Sequence, residues 1–183
     1  MKKVLLFVFI SIISMYINSN AQLVDTTGCD CDQLIERKLD EFNPDRDAYT
    51  IKRKEIMVVQ ETEEKALIFN FFSTNYMYAG KVWVYIGING VGCINEYNDI
   101  EFLFVDATKL KINSNEDFNC EERASFLLEY DDKDWTLPLT TKEIKAVRTR
   151  GDRGFVTVKF SEEQAKLFIR KLKCISFYAQ KFD

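Results

Sequence analysis

Asp131, Asp132 and Asp134, followed by Trp135, form the densest acidic cluster of the sequence, where a predicted strand ends. Two carboxyl groups can serve as acid and base on a glycosidic bond, but they must face each other across a cleft roughly 5–10 Å wide. Neighbours in one turn do not supply that separation by themselves. The same oxygens suit Ca²⁺, yet the spacing, the glycine and the terminal glutamate of an EF-hand loop are missing. A solvated acidic turn is the favoured reading, and no cofactor or metal is expected.

The chain contains no histidine. That removes the commonest general base, the usual ligand of catalytic zinc and the partner that activates serine or cysteine nucleophiles. Five cysteines remain, Cys29, Cys31, Cys93, Cys120 and Cys174, and a structural thiol is the favoured reading for each. Cys-x-Cys without a second close pair is a poor zinc pattern. Cys29 and Cys31 also stand too close for an easy mutual bridge. An odd count leaves at least one thiol unpaired in a monomer. The expected bridge is Cys120–Cys174, tying the sheet to the last helix. Gly87-Ile-Asn-Gly-Val-Gly92 superficially matches a phosphate loop, but no helix signal follows it, so it reads as a turn. Arg150-Gly151-Asp152 falls at a predicted hairpin tip, where a display motif for adhesion competes with ordinary Gly-Asp turn chemistry.

The aromatic residues carry more weight. Tyr76, Tyr78, Trp83 and Tyr85 cluster in sequence, and Trp83 and Tyr85 alternate with Val82, Val84 and Ile86. One account is a sheet covered on both faces. The other is a partly exposed aromatic surface, the kind that receives a protein or a sugar. With Trp135, these are the candidate binding residues. The expected function is an exported, non-enzymatic binding domain for a protein of the envelope or the extracellular space. The alternative is a carbohydrate-binding or carbohydrate-processing module using the same rings and the Asp131–Asp134 carboxylates. In a third reading the odd cysteine links two chains.

The address comes from the first 21 residues. Lys2 and Lys3 precede an apolar run over Val4–Ile17, and Ser19-Asn20-Ala21 supplies small residues for cleavage before Gln22. This is the pattern of a secretory signal peptide. The run is short of the ~20 residues that span a bilayer, and no later segment reaches that length. Cys29 stands too far beyond Ile17 to be the lipidated cysteine of a lipoprotein. The expected mature chain, residues 22–183, suits a single domain. Without Lys2 and Lys3 it carries 23 basic and 29 acidic residues, a formal charge of −6. Acids interleave the basic clusters at Lys52–Lys54 and Lys142–Arg153, so a nucleic-acid partner is not expected.

Periodicity then supplies the elements that position these residues. Ile100, Phe102 and Phe104, then Leu110 and Ile112, alternate as a hairpin, and Ala124–Tyr130 reads as its third strand. Tyr49–Val59, Lys65–Phe72 and Lys81–Ile88 read as earlier strands. Leu34, Ile35, Leu39 and Phe42 fit a helical stripe capped by Asp32. Thr140-Thr-Lys-Glu143 reads as a capping box opening a short helical turn at Ile144 and Val147. Ala146–Arg150 and Phe155–Phe160 form a second hairpin. Ser161-Glu-Glu-Gln164 opens a final helix whose Ala165, Phe168, Ile169, Leu172 and Ile175 share one face. The sum is one α+β domain: a mostly antiparallel sheet with a C-terminal amphipathic helix packed on it.

Through Cys31, Asp40-Glu-Phe42, Phe102–Ile112, Phe118-Asn-Cys120, Ile144–Arg148 and Phe160–Cys174 the chain resembles small exported bacterial proteins of unknown function. The resemblance spans most of residues 22–183 and implies an α+β fold and export; none of its motifs is catalytic. Asp106-Ala107 departs from it, since such hairpins favour a glycine there.

Overall fold

Strict alternation builds the centre of the molecule, a computed structural model that describes residues 26–43, 46–74, 80–94, 99–114, 120, 123–129 and 133–182. The expected leader over residues 1–21 lies outside the described residues. In β5 (Lys81–Asn89), Val82, Val84, Ile86 and Ile88 are fully buried, whereas Trp83 and Tyr85 between them are half-buried. Leu67, Phe69 and Phe71 repeat that pattern in β4 (Ala66–Thr74). Successive strand residues point to opposite faces, so the pair defines an inner and an outer face.

The rest of this sheet grows from β4 and β5. β8 (Arg123–Glu129) flanks β5 and adds Ala124, Phe126 and Leu128 to the inner face. The far edge of β4 is shared between two short strands. β2 (Ala48–Ile51) pairs with its C-terminal half and β3 (Met57–Gln60) with its N-terminal half. β1 (Ile35–Lys38) completes the order β1-β2-β4-β5-β8, and every pairing is antiparallel.

A second antiparallel sheet runs β10-β9-β6-β7, from β6 (Asp99–Phe104), β7 (Lys109–Asn113), β9 (Ile144–Gly151) and β10 (Gly154–Lys159). Phe102 of β6 meets Phe126 of β8 edge-on with centroids 6.1 Å apart, so the two inner faces oppose each other. α3 (Glu162–Ala179) closes the remaining gap. Phe168 is its hub, with the rings of Phe69, Phe71, Phe102 and Phe160 at 5.2–6.1 Å. Truncating so buried a ring to alanine costs about 3–5 kcal/mol.

The helix begins as its sequence predicts. Ser161 Oγ accepts the Gln164 N–H at 3.2 Å, and Gln164 Oε1 accepts the Ser161 N–H at 2.9 Å, which satisfies two donors of the first turn. Ala165, Phe168, Leu172 and Ile175 are fully buried, while Ile169 is half-buried. Burial extends further round the helix, to Lys171, Cys174 and Ala179, because α1 (Cys31–Leu34) and α2 (Thr136–Thr141) pack against its flanks. The Lys171 ammonium donates to the Glu55 carbonyl, and burial holds its pKa below the ordinary lysine value.

The α+β class is as expected, but several elements differ, each for a local reason. Residues Ala124–Leu128 do not extend the β6–β7 hairpin; they pair with β5 in the other sheet. A period of two reports which side chains are buried and says nothing about the pairing partner. The Tyr49–Val59 run is broken at Arg53–Glu55 by a 3-10 turn, whose Glu55 carbonyl receives Lys171. The helix expected over Leu34–Phe42 lasts one turn before β1, and Phe42 ends 92% exposed. Asp47 gathers that stretch instead, pairing with Arg37 at 2.5 Å and accepting the Asp40 N–H at 3.1 Å. The Thr140–Glu143 capping box is not used. Thr140 and Thr141 hydroxyls donate back to the Thr136 and Leu137 carbonyls at 2.7 and 2.6 Å and finish α2, after which Ile144–Gly151 is all strand.

The sulfur pairing is also corrected. Cys174 bridges Cys31, and Cys120 bridges Cys93, in place of the expected Cys120–Cys174 bond. Cys174 sits on the flank of α3 that meets α1, which brings Cys31 to it. Gly87 of β5 registers with Arg123 of β8, so the segments beyond those strand ends, carrying Cys93 and Cys120, leave the sheet side by side. Cys29 keeps a free, half-buried thiol.

Candidate functional site

The outer face of the first sheet is set by register. Thr50, Phe72, Trp83 and Leu127 stand in one row across β2, β4, β5 and β8, and Asn70, Tyr85 and Ser125 stand in the next. Directly opposed residues of antiparallel strands point to the same side and touch. The result is a compact aromatic cluster. Phe72 lies 6.2 Å from Trp83 at an interplanar angle of 9° and 5.4 Å from Tyr85 at 24°; Trp83 and Tyr85 are 6.2 Å apart. All three are half-buried, while Val82, Val84 and Ile86 on the inner face of β5 are fully buried. Ile68 and Leu127 extend the apolar surface, and Val58 on β3, 49% exposed, lies at its margin.

A charged pair stands at one edge of this centre. Lys81 and Glu129, opposed in register at the end of β5, form an ion pair of 2.7 Å. An exposed pair of this kind contributes little to stability; its effect is to set the charge pattern at the edge. Aromatic residues at the centre of a patch, with charged residues kept to its edge, are the usual anatomy of a protein-binding surface.

Of the expected binding residues, Trp83 and Tyr85 meet on this face. Tyr76 and Tyr78 lie outside the described residues. Trp135 stands just before α2, half-buried and packed against the hydrophobic core. Phe72 was not among the expected residues, although it supplies the ring that links Trp83 and Tyr85. Its place is fixed by the β4–β5 register, which the reading of Lys65–Phe72 as a strand does not supply. Asp131 and Asp132 lie outside the described residues, and Asp134 is exposed in a turn.

The second sheet bears a depression of about 90 Å³ on its outer face, lined by Glu101, Lys109, Arg148 and Thr157 over Phe102, Leu103 and Ala146. Arg148 Nε donates to Thr157 Oγ1 at 3.0 Å. One carboxylate in so small a hollow does not provide the paired acids of glycoside hydrolysis. Among the described residues no cluster of three or more acidic or cysteine side chains is placed to hold a metal ion. In the Arg150-Gly151-Asp152 tripeptide Gly151 is buried against the Val91 carbonyl, while Arg150 and Asp152 are exposed and the Asp152 carboxylate is bonded to the Cys93 N–H.

No protein-family model, curated protein sequence or solved structure matches the chain. No helix among the described residues is long and apolar enough to cross a membrane.

Proposed function

We propose that this protein is an exported, non-enzymatic binding domain that engages a protein of the envelope or the extracellular space through the outer face of β4 and β5. The observation that carries the reading is the half-buried Phe72–Trp83–Tyr85 cluster, which sits on the face opposite the packed core with the Lys81–Glu129 pair at one edge. Tryptophan and tyrosine at the centre of an apolar patch are the residues that most often dominate association energies. Two disulfides agree with an oxidising compartment, and the basic-then-apolar start of the sequence supports export.

Crosslinking and affinity capture with tagged residues 22–183 in native cells test the reading. A reproducible partner, lost in the Trp83→Ala/Tyr85→Ala double variant while the melting temperature falls by only a few degrees, supports it. The partner contact is expected to lose about 2 kcal/mol or more, roughly thirty-fold in Kd. A collapse of thermal stability would return both rings to the core. A well-folded domain that captures no protein, but binds glycans saturably, would transfer the surface to carbohydrate recognition.

A further inference from the structure

We propose that Tyr49, Phe177 and Tyr178 form an aromatic cage for a methylated ammonium group, closed in this structure by the chain's own Lys181. The site lies where the end of α3 meets the inner side of β2, and it shares no residue with the Phe72–Trp83–Tyr85 face. Lys181 Nζ stands 4.1 Å from the Tyr178 ring centroid, 5.4 Å from Phe177 and 6.0 Å from Tyr49. The Phe177 and Tyr178 rings cross at 78° and make two walls. Tyr49, 4.6 Å from Tyr178 and tilted by 37°, makes the third. The Tyr178 hydroxyl donates to the Asp32 carboxylate, which fixes the ring and places negative charge behind it. That hydrogen bond pushes the Tyr178 pKa up to about 12, so the hydroxyl remains a donor.

The Lys181 ammonium stands in for the ligand. A cation over a ring face is attracted by the ring quadrupole, and several rings around one centre recognise alkylated ammonium ions. A primary ammonium is compact and strongly hydrated, so it gains little from an exposed cage. A trimethylammonium group gives up less hydration and fills the space with methyl groups. Lys181 is exposed on the terminal turn Gln180–Phe182 and can swing away. Until it does, it competes at the high effective concentration of a tethered group. The trimethylammonium can belong to a free solute or to a lipid headgroup.

Choline and dimethylbutanol, its uncharged carbon isostere, are titrated into the intact protein and into Lys181→Ala, with proton NMR of the Tyr178 ring and the Lys181 ε-methylene as readout. Choline is expected to bind Lys181→Ala at least five-fold more tightly than the intact protein and about ten-fold more tightly than dimethylbutanol. In the intact protein, the ring-shifted Lys181 ε-methylene signals move toward solvent-exposed positions as choline binds. Phe177→Leu added to Lys181→Ala, with the fold checked by circular dichroism, removes a wall and weakens choline binding about ten-fold. Equal binding of the uncharged isostere, undiminished binding without Phe177, or no saturable choline binding to Lys181→Ala overturns the proposal. Choline binding without sedimentation on phosphatidylcholine vesicles identifies a free solute. Choline-competed sedimentation on those vesicles identifies the headgroup.

Discussion

The Asp152 carboxylate accepts the Cys93 backbone N–H at 2.8 Å, and the Asp152 N–H returns a bond to the Cys93 carbonyl at 3.0 Å. This reciprocal pair, with Arg153 N–H on the Val91 carbonyl at 2.9 Å, fastens the tip of the β9–β10 hairpin to the segment after β5. The aspartate of the Arg-Gly-Asp sequence is therefore occupied within the fold. Asp152→Ala leaves the Cys93 N–H without its side-chain acceptor and should destabilise the domain by about 1 kcal/mol, measured by urea unfolding. Asp152→Asn, which keeps an acceptor oxygen, should recover part of that loss. If the aspartate served display instead, both variants would leave the unfolding midpoint unchanged.

Ala107 occupies the β6–β7 turn with φ +66°, the left-handed region that residues with a Cβ rarely adopt. The strain relieved by glycine there is about 1–2 kcal/mol. The added unfolded-state entropy of glycine offsets about 0.5–1 kcal/mol of it. Ala107→Gly should therefore raise stability modestly, while the β-branched Ala107→Val should lower it clearly. Thermal melts of the two variants should move in opposite directions from the parent. A fall with Ala107→Gly would mean that the turn does not hold that conformation in solution.

The neighbouring Asp106 should titrate far below an ordinary carboxyl group. Its carboxylate accepts the Thr108 hydroxyl at 2.5 Å, the Lys142 ammonium at 3.0 Å and the Thr108 N–H at 2.9 Å, and these bonds bring its pKa down to about 2. The folded value lies below the unfolded one. The stabilisation is therefore complete above the ordinary carboxylate pKa and disappears as the pH falls through about 2. Carboxyl-carbon NMR should show that low midpoint, and Thr108→Val should move it upward more than Lys142→Ala does. A midpoint at the ordinary value in the parent would rule out the network.

The sequence makes local order legible and leaves the assembly of distant segments open. Val82, Val84 and Ile86 declared the inner face of β5, and Ser161 with Gln164 declared the start of α3, because each signal lies within a few residues. The two-sheet arrangement is different in kind. Ala124, Phe126 and Leu128 fit an apolar face in either sheet, and only the β5–β8 register decides between them. The same holds at the candidate binding face. Trp83 and Tyr85 were visible by alternation, whereas Phe72 required knowledge that it stands opposite Trp83. Thr140 and Thr141 mislead because hydroxyls that suit a helix start also close a helix by bonding back one turn.

The two disulfides should contribute unequally. Cys31 and Cys174 are separated by 143 residues of sequence and Cys93 and Cys120 by 27. The chain-entropy model then gives about 5 and about 3.5 kcal/mol for the respective restrictions of the unfolded chain. The long bridge also joins α1 to the helix that carries Phe168, so its loss loosens the flank of the core, whereas Cys93–Cys120 ties two connections beyond the ends of β5 and β8. Cys174→Ser should accordingly lower the urea midpoint more than Cys120→Ser, and the more so because Cys174 is fully buried and serine places a hydroxyl there. Cys174→Ser is the cleaner probe of that bridge, since in Cys31→Ser the thiol of Cys29 stands two residues away as a substitute. Non-reducing peptide mapping of the parent protein should return the 31–174 and 93–120 pairs with Cys29 alkylated. A 120–174 peptide would reverse the assignment, and with it the packing of α1 against α3 that the long bridge secures.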